Sequence, residues 1–143
     1  SNEATLQRFY RATSFDLSTT RKRLAETAEW RLEMRPETME CAACAADARS
    51  HYLHLCGHDK LGRPVLYSTF ALVEDKGVDS LVEHMIQMFE MAIRVMPPGV
   101  ESWVWLNDFI GFGLADCHPG LAMSFIKLTG THYPERLGQL LVL

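Results

Sequence analysis

No stretch of this sequence is long and apolar enough to span a bilayer, which takes about 20 such residues. The longest near the C-terminus, Leu140 to Leu143, is strand-sized. Positive charge is not in excess: 14 Lys and Arg stand against 18 Asp and Glu, a formal net charge of -4. That balance argues against a broad phosphate-tracking surface and makes nucleic acid a poor partner. Cysteine is sparse. Cys41, Cys44, Cys56 and Cys117 are too few in 143 residues for a disulfide scaffold, and free, partly buried thiols in a reducing compartment are expected. No signal peptide is visible, so the cytosol is the expected location.

Catalytic signatures are missing as well. There is no Gly-x-Ser-x-Gly elbow. Gly111-Phe112-Gly113 lacks the Lys-Ser/Thr that completes a phosphate loop. Cys117-His118 are neighbours in sequence, which does not make a catalytic pair, and the arginine of a phosphate-binding cysteine loop does not follow. No enzyme activity is expected. Cys41-x-x-Cys44, followed by His51, His54, Cys56 and His58, invites a zinc reading, because zinc takes four tetrahedral Cys and His ligands. Against it, the cysteines fall in an alanine-rich helical stretch, and His54 and Cys56 alternate along a strand. Core-facing thiols and strand-surface histidines are the preferred reading, with no metal and no cofactor.

What is present is apolar mass. Hydrophobic residues make up 48% of the chain, enough for one domain with a real core. Residues 4–50 read as helices. Asp16 is a candidate N-cap, Leu17, Leu24, Ala25, Ala28 and Leu32 share one helical face, and Pro36 closes that helix. Glu37 to Arg49 reads as a further helix. From His51 the texture alternates, giving a strand, the turn cluster Gly57 to Gly62, and a second strand from Pro64 to Phe70. Ser80 and Glu83 form a capping box ahead of the stripe Leu81, Val82, Met85, Phe89, Ala92, Ile93 and Met96. Trp103 to Asp108 is a third strand, a helix runs from Pro119 to about His132, and Leu137 to Leu143 is a fourth strand. Long helices between strands imply crossovers and an α/β fold with a mixed, partly parallel sheet.

Three motifs together resemble the CRAL-TRIO family, whose members include phosphatidylinositol/phosphatidylcholine transfer proteins and carriers of retinoids and tocopherol. The first is Leu6-Gln7-Arg8-Phe9-Tyr10-Arg11-Ala12 with Phe15-Asp16 and Glu29-Trp30-Arg31. The second is Asp59-Lys60-Leu61-Gly62-Arg63-Pro64-Val65. The third runs from Asn107-Asp108-Phe109-Ile110-Gly111-Phe112 to His132-Tyr133-Pro134-Glu135-Arg136-Leu137-Gly138. The resemblance implies an N-terminal helical segment over 1–50 and an incomplete lipid-binding α/β domain over 51–143. In complete members further sheet and a mobile gating helix follow the strand matching Leu137 to Leu143, so an exposed sheet edge is expected, with a homodimer as one way to cover it.

The resemblance also implies which residues face a ligand. Positions that line the headgroup end of the pocket in phosphatidylcholine carriers correspond to Leu55, Leu66, Trp103, Trp105 and Thr129. Asp59 and Glu135 match positions near the inositol site. The basic residues expected after the first motif are replaced by Thr13 and Ser14, which removes charge a phosphate would want. Each residue also has a plainer role: core packing for Leu55, Leu66 and the tryptophans, a turn for Asp59, a bond to its own helix for Thr129, and structural pairing for Glu135 and Arg136. The implied function is non-catalytic binding, transfer or sensing of a phospholipid or other small lipid, with exchange at a membrane surface. A regulatory docking module with a filled pocket is the alternative.

Overall fold

The computed structural model describes residues 2–113 and 116–143. Two helices open the chain, α1 (Asn2–Ala12) and α2 (Leu17–Met34). Asp16 caps α2 as expected, its carboxylate accepting the Thr19 amide hydrogen at 2.6 Å, which satisfies one of the unpaired donors of the first turn. The helix ends with Arg35 in the left-handed region (φ 47) directly before Pro36. The face of α2 that packs is not the one its apolar residues mark: Leu17 is 59% and Leu32 80% exposed, while Thr20 and Thr27 are buried. The Thr20 hydroxyl lies 2.6 Å from that of Thr13 and donates to the Asp16 carbonyl. The Thr27 hydroxyl donates to the Thr131 carbonyl at 3.1 Å.

The long helix expected over Glu37 to Arg49 does not form. A 3-10 turn at Pro36–Thr38 is followed by a single five-residue helix, α3 (Ala42–Ala46). Asp47 accepts the Arg49 amide hydrogen at 2.9 Å, a local Asx turn that competes with helix continuation. So short a helix is not stable by itself.

The sheet runs β1 (Leu53–His58), β2 (Pro64–Thr69), β3 (Trp103–Asp108), β4 (Leu137–Val142), in that spatial order. β1 and β2 are antiparallel, and β2, β3 and β4 are parallel, the mixed sheet that the element order implied. Crossover helices α4 (Val78–Arg94) and α5 (Pro119–His132) link the parallel strands. The Asp59 carboxylate builds the β1–β2 turn, accepting the amide hydrogens of Leu61 (2.9 Å) and Arg63 (2.8 Å) and pairing with the Arg63 guanidinium at 2.7 Å. Gly62, at φ 77, takes the left-handed position of that turn. Gly138 is required for a different reason. A Cβ there would sit 2.6 Å from Ser102 Oγ, where the β3–β4 register slips between Trp103 and Val104.

α4 starts earlier than the capping-box reading predicts, with Gly77 as its N-cap. Ser80 instead lies 3.3 Å from His51 Nε2, and Glu83 accepts the Ala42 amide hydrogen at 3.3 Å. The apolar stripe holds: Leu81, Met85, Phe89 and Ala92 are buried. Phe89 stacks on Trp103 with centroids 4.7 Å apart and meets Trp105 and Tyr133 edge-on, geometries that aromatic quadrupoles favour. Beside this core, Arg31 pairs in bidentate fashion with buried Glu90 (2.8 and 3.0 Å), which also accepts the Tyr133 hydroxyl at 2.8 Å. Burial, and then the neighbouring Glu90 charge, push the Tyr133 hydroxyl pKa well above its ordinary value.

Candidate functional site

An open groove of about 380 Å³ lies over the C-terminal ends of β2 and β3. Trp105 forms its floor, α5 supplies Leu121 and Phe125, and the segment after β3 supplies Phe109 and Phe112. Phe125 stands edge-on to Trp105 at 5.1 Å, and Phe109 edge-on to Phe112 at 5.0 Å. The polar groups of the floor are already engaged. Trp105 Nε1 donates to Ser68 Oγ at 2.9 Å, and Ser68 Oγ donates to Asn107 Oδ1 at 2.5 Å. What remains is an aromatic and aliphatic trough whose volume falls at the low end of small-molecule sites, about 300–1,000 Å³.

Local sequence explains the wall. Asp108 accepts the Tyr67 hydroxyl at 2.7 Å and the Ile110 amide hydrogen at 2.8 Å, turning the chain after β3, and Gly111 takes φ 80. Phe109 and Phe112, three apart across that turn, therefore meet. At the rim Asp116 pairs with Lys76 at 2.6 Å. That bond, and then the Gly113 amide, hold its carboxyl below the usual carboxylate range.

The residues singled out from sequence fall in several places. Leu66 and Trp103 are fully buried in the core and Leu55 is half-buried against it. Leu55, Leu66 and Trp105 do share one register row across β1, β2 and β3, but of the seven only Trp105 lines the groove. Trp103 Nε1 is a buried donor without a partner among the described residues, a cost of about 1–3 kcal/mol. Thr129 and Glu135 line a separate, more polar depression with Arg23 and Tyr133. There the Thr129 hydroxyl donates to its own helix at Phe125 O (2.8 Å), and Glu135, at φ 59, lies 4.0 Å from Arg11. Asp59 sits in the hairpin turn with Arg63. Sequence reading missed Phe70, Phe109, Phe112, Leu121 and Phe125 as lining residues. Their signal was present, in the aromatic pair of the third motif and in the i, i+4 spacing of Leu121 and Phe125.

With this geometry in hand, comparison with known proteins is decisive. The family model of the CRAL/TRIO domain matches residues 48–143. The chain belongs to the CRAL/TRIO domain family. CRAL-TRIO domain-containing protein C23B6.04c of Schizosaccharomyces pombe is 32% identical over 137 residues, a match covering 95% of this chain and 14% of that protein. CRAL-TRIO domain-containing protein C3H8.02 of the same organism is 27% identical over 148 residues, covering 96% and 33% respectively. The crystal structure of Sfh5 superposes with a TM-score of 0.77 at 17% identity, over 96% of this chain and 53% of that one, a likeness of fold. The chain thus spans a third or less of these two relatives and about half of the solved chain. CRAL/TRIO proteins bind and transfer lipophilic ligands and are in general non-catalytic carriers. No helix among the described residues is long and apolar enough to cross a membrane.

Proposed function

We propose that this CRAL/TRIO domain binds one hydrophobic ligand, a phospholipid or other small lipid, and transfers or senses it at a membrane surface from the cytosol. The observation that carries the reading is the groove over Trp105: apolar, open, and with its buried polar groups satisfied internally. A lipid chain laid there gains roughly 0.8 kcal/mol for each CH2 removed from water, over a floor whose Trp105, Ser68 and Asn107 groups already bond one another. Residues 51–143 hold the groove in this reading, and the helices of residues 1–50 brace its scaffold.

The test is binding of a fluorescent fatty acid and of a labelled phosphatidylcholine to the wild type and to Phe112→Asp. Phe112 is half-buried on the groove wall, so a carboxylate there meets the ligand while the core stays intact. We expect at least tenfold weaker binding with an unchanged unfolding midpoint. Equal binding by both proteins would exclude the groove as the site. A second reading, a docking module without ligand, is favoured by one observation: Leu66 and Trp103 are fully buried beneath Phe89, so part of the inward sheet face is already filled. Absence of binding by the wild type would support it.

A further inference from the structure

Cys41, Cys44, His51 and His84 come together at the junction between the N-terminal helices and the sheet, with one ligand atom of each lying within 4.8 Å of all the others. Cys41 is the N-cap of α3 and Cys44 lies in its first turn, so both thiols point to one side, and the Cys44 amide hydrogen is donated to Cys41 Sγ at 3.5 Å. His51 lies two residues before β1, and His84 faces inward from α4. Cys41, His51 and His84 are buried and Cys44 is partly so.

From these positions we infer a structural zinc site with a Cys2His2 ligand set. Three of the four sulfur-to-nitrogen distances are 3.4 Å (Cys41 to His51 Nδ1), 3.4 Å (Cys44 to His51 Nδ1) and 3.5 Å (Cys44 to His84 Nδ1), and the fourth is within 4.8 Å. A tetrahedral zinc with bonds near 2.3 Å to sulfur and 2.0–2.1 Å to nitrogen has S···N edges of about 3.6 Å. Cys44 Sγ approaches both imidazoles and His51 Nδ1 approaches both sulfurs, so the donor atoms converge on one point as ligands of a single ion do.

The histidines are oriented as zinc ligands are. His84 Nε2 donates to the Leu53 carbonyl at 2.9 Å, a group that only accepts, so its Nδ1 keeps the lone pair directed at the sulfurs. His51 Nε2 lies 3.3 Å from Ser80 Oγ, an outer oxygen able to accept its N–H, with the Asp75 carboxylate 3.8 Å away. Two thiolates and two neutral imidazoles cancel the charge of a divalent zinc, which suits a buried position. Two sulfur and two nitrogen donors select zinc over hard cations. Four protein ligands leave no open position, so the ion is structural. It ties α3, which is too short to persist alone, to the strand entrance and to α4. Cys41 and Cys44 lie outside the residues matched by the family model, and His51 and His84 lie inside them, so the site joins the N-terminal segment to the matched domain.

The test is metal content of the full chain, purified without a metal-affinity tag, by mass spectrometry of the elements, for wild type, Cys44→Ser, His84→Gln and His54→Gln. His54 is exposed on β1 and serves as a control. We expect one zinc per chain in wild type and His54→Gln, and its loss in the other two. Cobalt in place of zinc should give tetrahedral d–d bands with thiolate charge transfer. Should His84→Gln fail to fold, the wild type still decides: chelation should lower its Tm, and added zinc should restore it. Wild type that is purified metal-free and takes up no zinc when zinc is added would overturn the site. So would a Cys41–Cys44 disulfide, seen as a loss of two hydrogens in mass, or a Tm unmoved by chelator and zinc.

Discussion

The helices of residues 2–46 and the sheet with α4 are held by different chemistry. Around Phe89 the contacts are aromatic and aliphatic, and α4 buries the apolar stripe that its sequence marks. Around α2 they are polar: Thr13 with Thr20, Thr27 with the end of α5, and Arg31 with Glu90. The contrast shows that a helix on a domain's flank can pack through satisfied hydroxyls, an ion pair and a single aromatic ring, Trp30, leaving leucines such as Leu32 in solvent. Periodicity of hydrophobicity then marks the wrong face. Substitutions that challenge each kind of contact separate the two regions.

The largest effect belongs to the sheet core. Phe89→Ala removes a fully buried ring that touches Trp103, Trp105 and Tyr133, and should cost about 3–5 kcal/mol in urea unfolding. Next comes Arg31→Met, which strands the buried Glu90 carboxylate. Because the Arg31 side chain is 36% exposed, water keeps access, and the loss should be about 2 kcal/mol, below that for a fully buried pair. Thr20→Val breaks the hydroxyl seam and should cost about 1–2 kcal/mol by the same measurement. Leu32→Ser, on the apolar face that the sequence advertises, should change stability by less than about 0.5 kcal/mol. A large loss there would mean that α2 packs through its leucines after all.

Proton linkage provides a finer probe of the same seam. His132 stacks on Trp30 at 4.1 Å, with Nδ1 3.1 Å from the Thr27 hydroxyl. Burial, and then Lys127, lower its pKa from 6.5. The folded state therefore prefers the neutral ring, so this contribution is complete above the unfolded value near 6.5 and is lost as pH falls below it. His132→Phe keeps the stacking without the titration. Between pH 7.5 and 5.5 it should lose less stability than the wild type, and equal losses would show that the ring is free to protonate.

Much of the fold was legible because strands and crossover helices bury one regular face. The β3 and α5 limits, the hairpin turn at Asp59 and the mixed sheet follow from alternation, turn chemistry and helix stops. The stretch after Pro36 was not legible. Its alanines favour helix, while Cys41, Asp47 and Ser50 make local bonds that limit the helix to five residues. The groove was legible in kind but not in place. Pattern put Trp103 and Trp105 on one face, and both are buried against Phe89, yet only Trp105 also lines the groove beside Phe125. His84 was hidden among the apolar residues of α4, where no spacing rule links it to cysteines 40 residues earlier.

The most direct test of lipid binding is native against denaturing mass spectrometry of the protein purified from cells. A lipid of defined mass, retained in the native spectrum, released on denaturation and absent from Phe112→Asp, is the result expected. Native wild-type protein without bound lipid, which also fails to take one up from phosphatidylcholine vesicles, would contradict the carrier account and leave the docking module in its place.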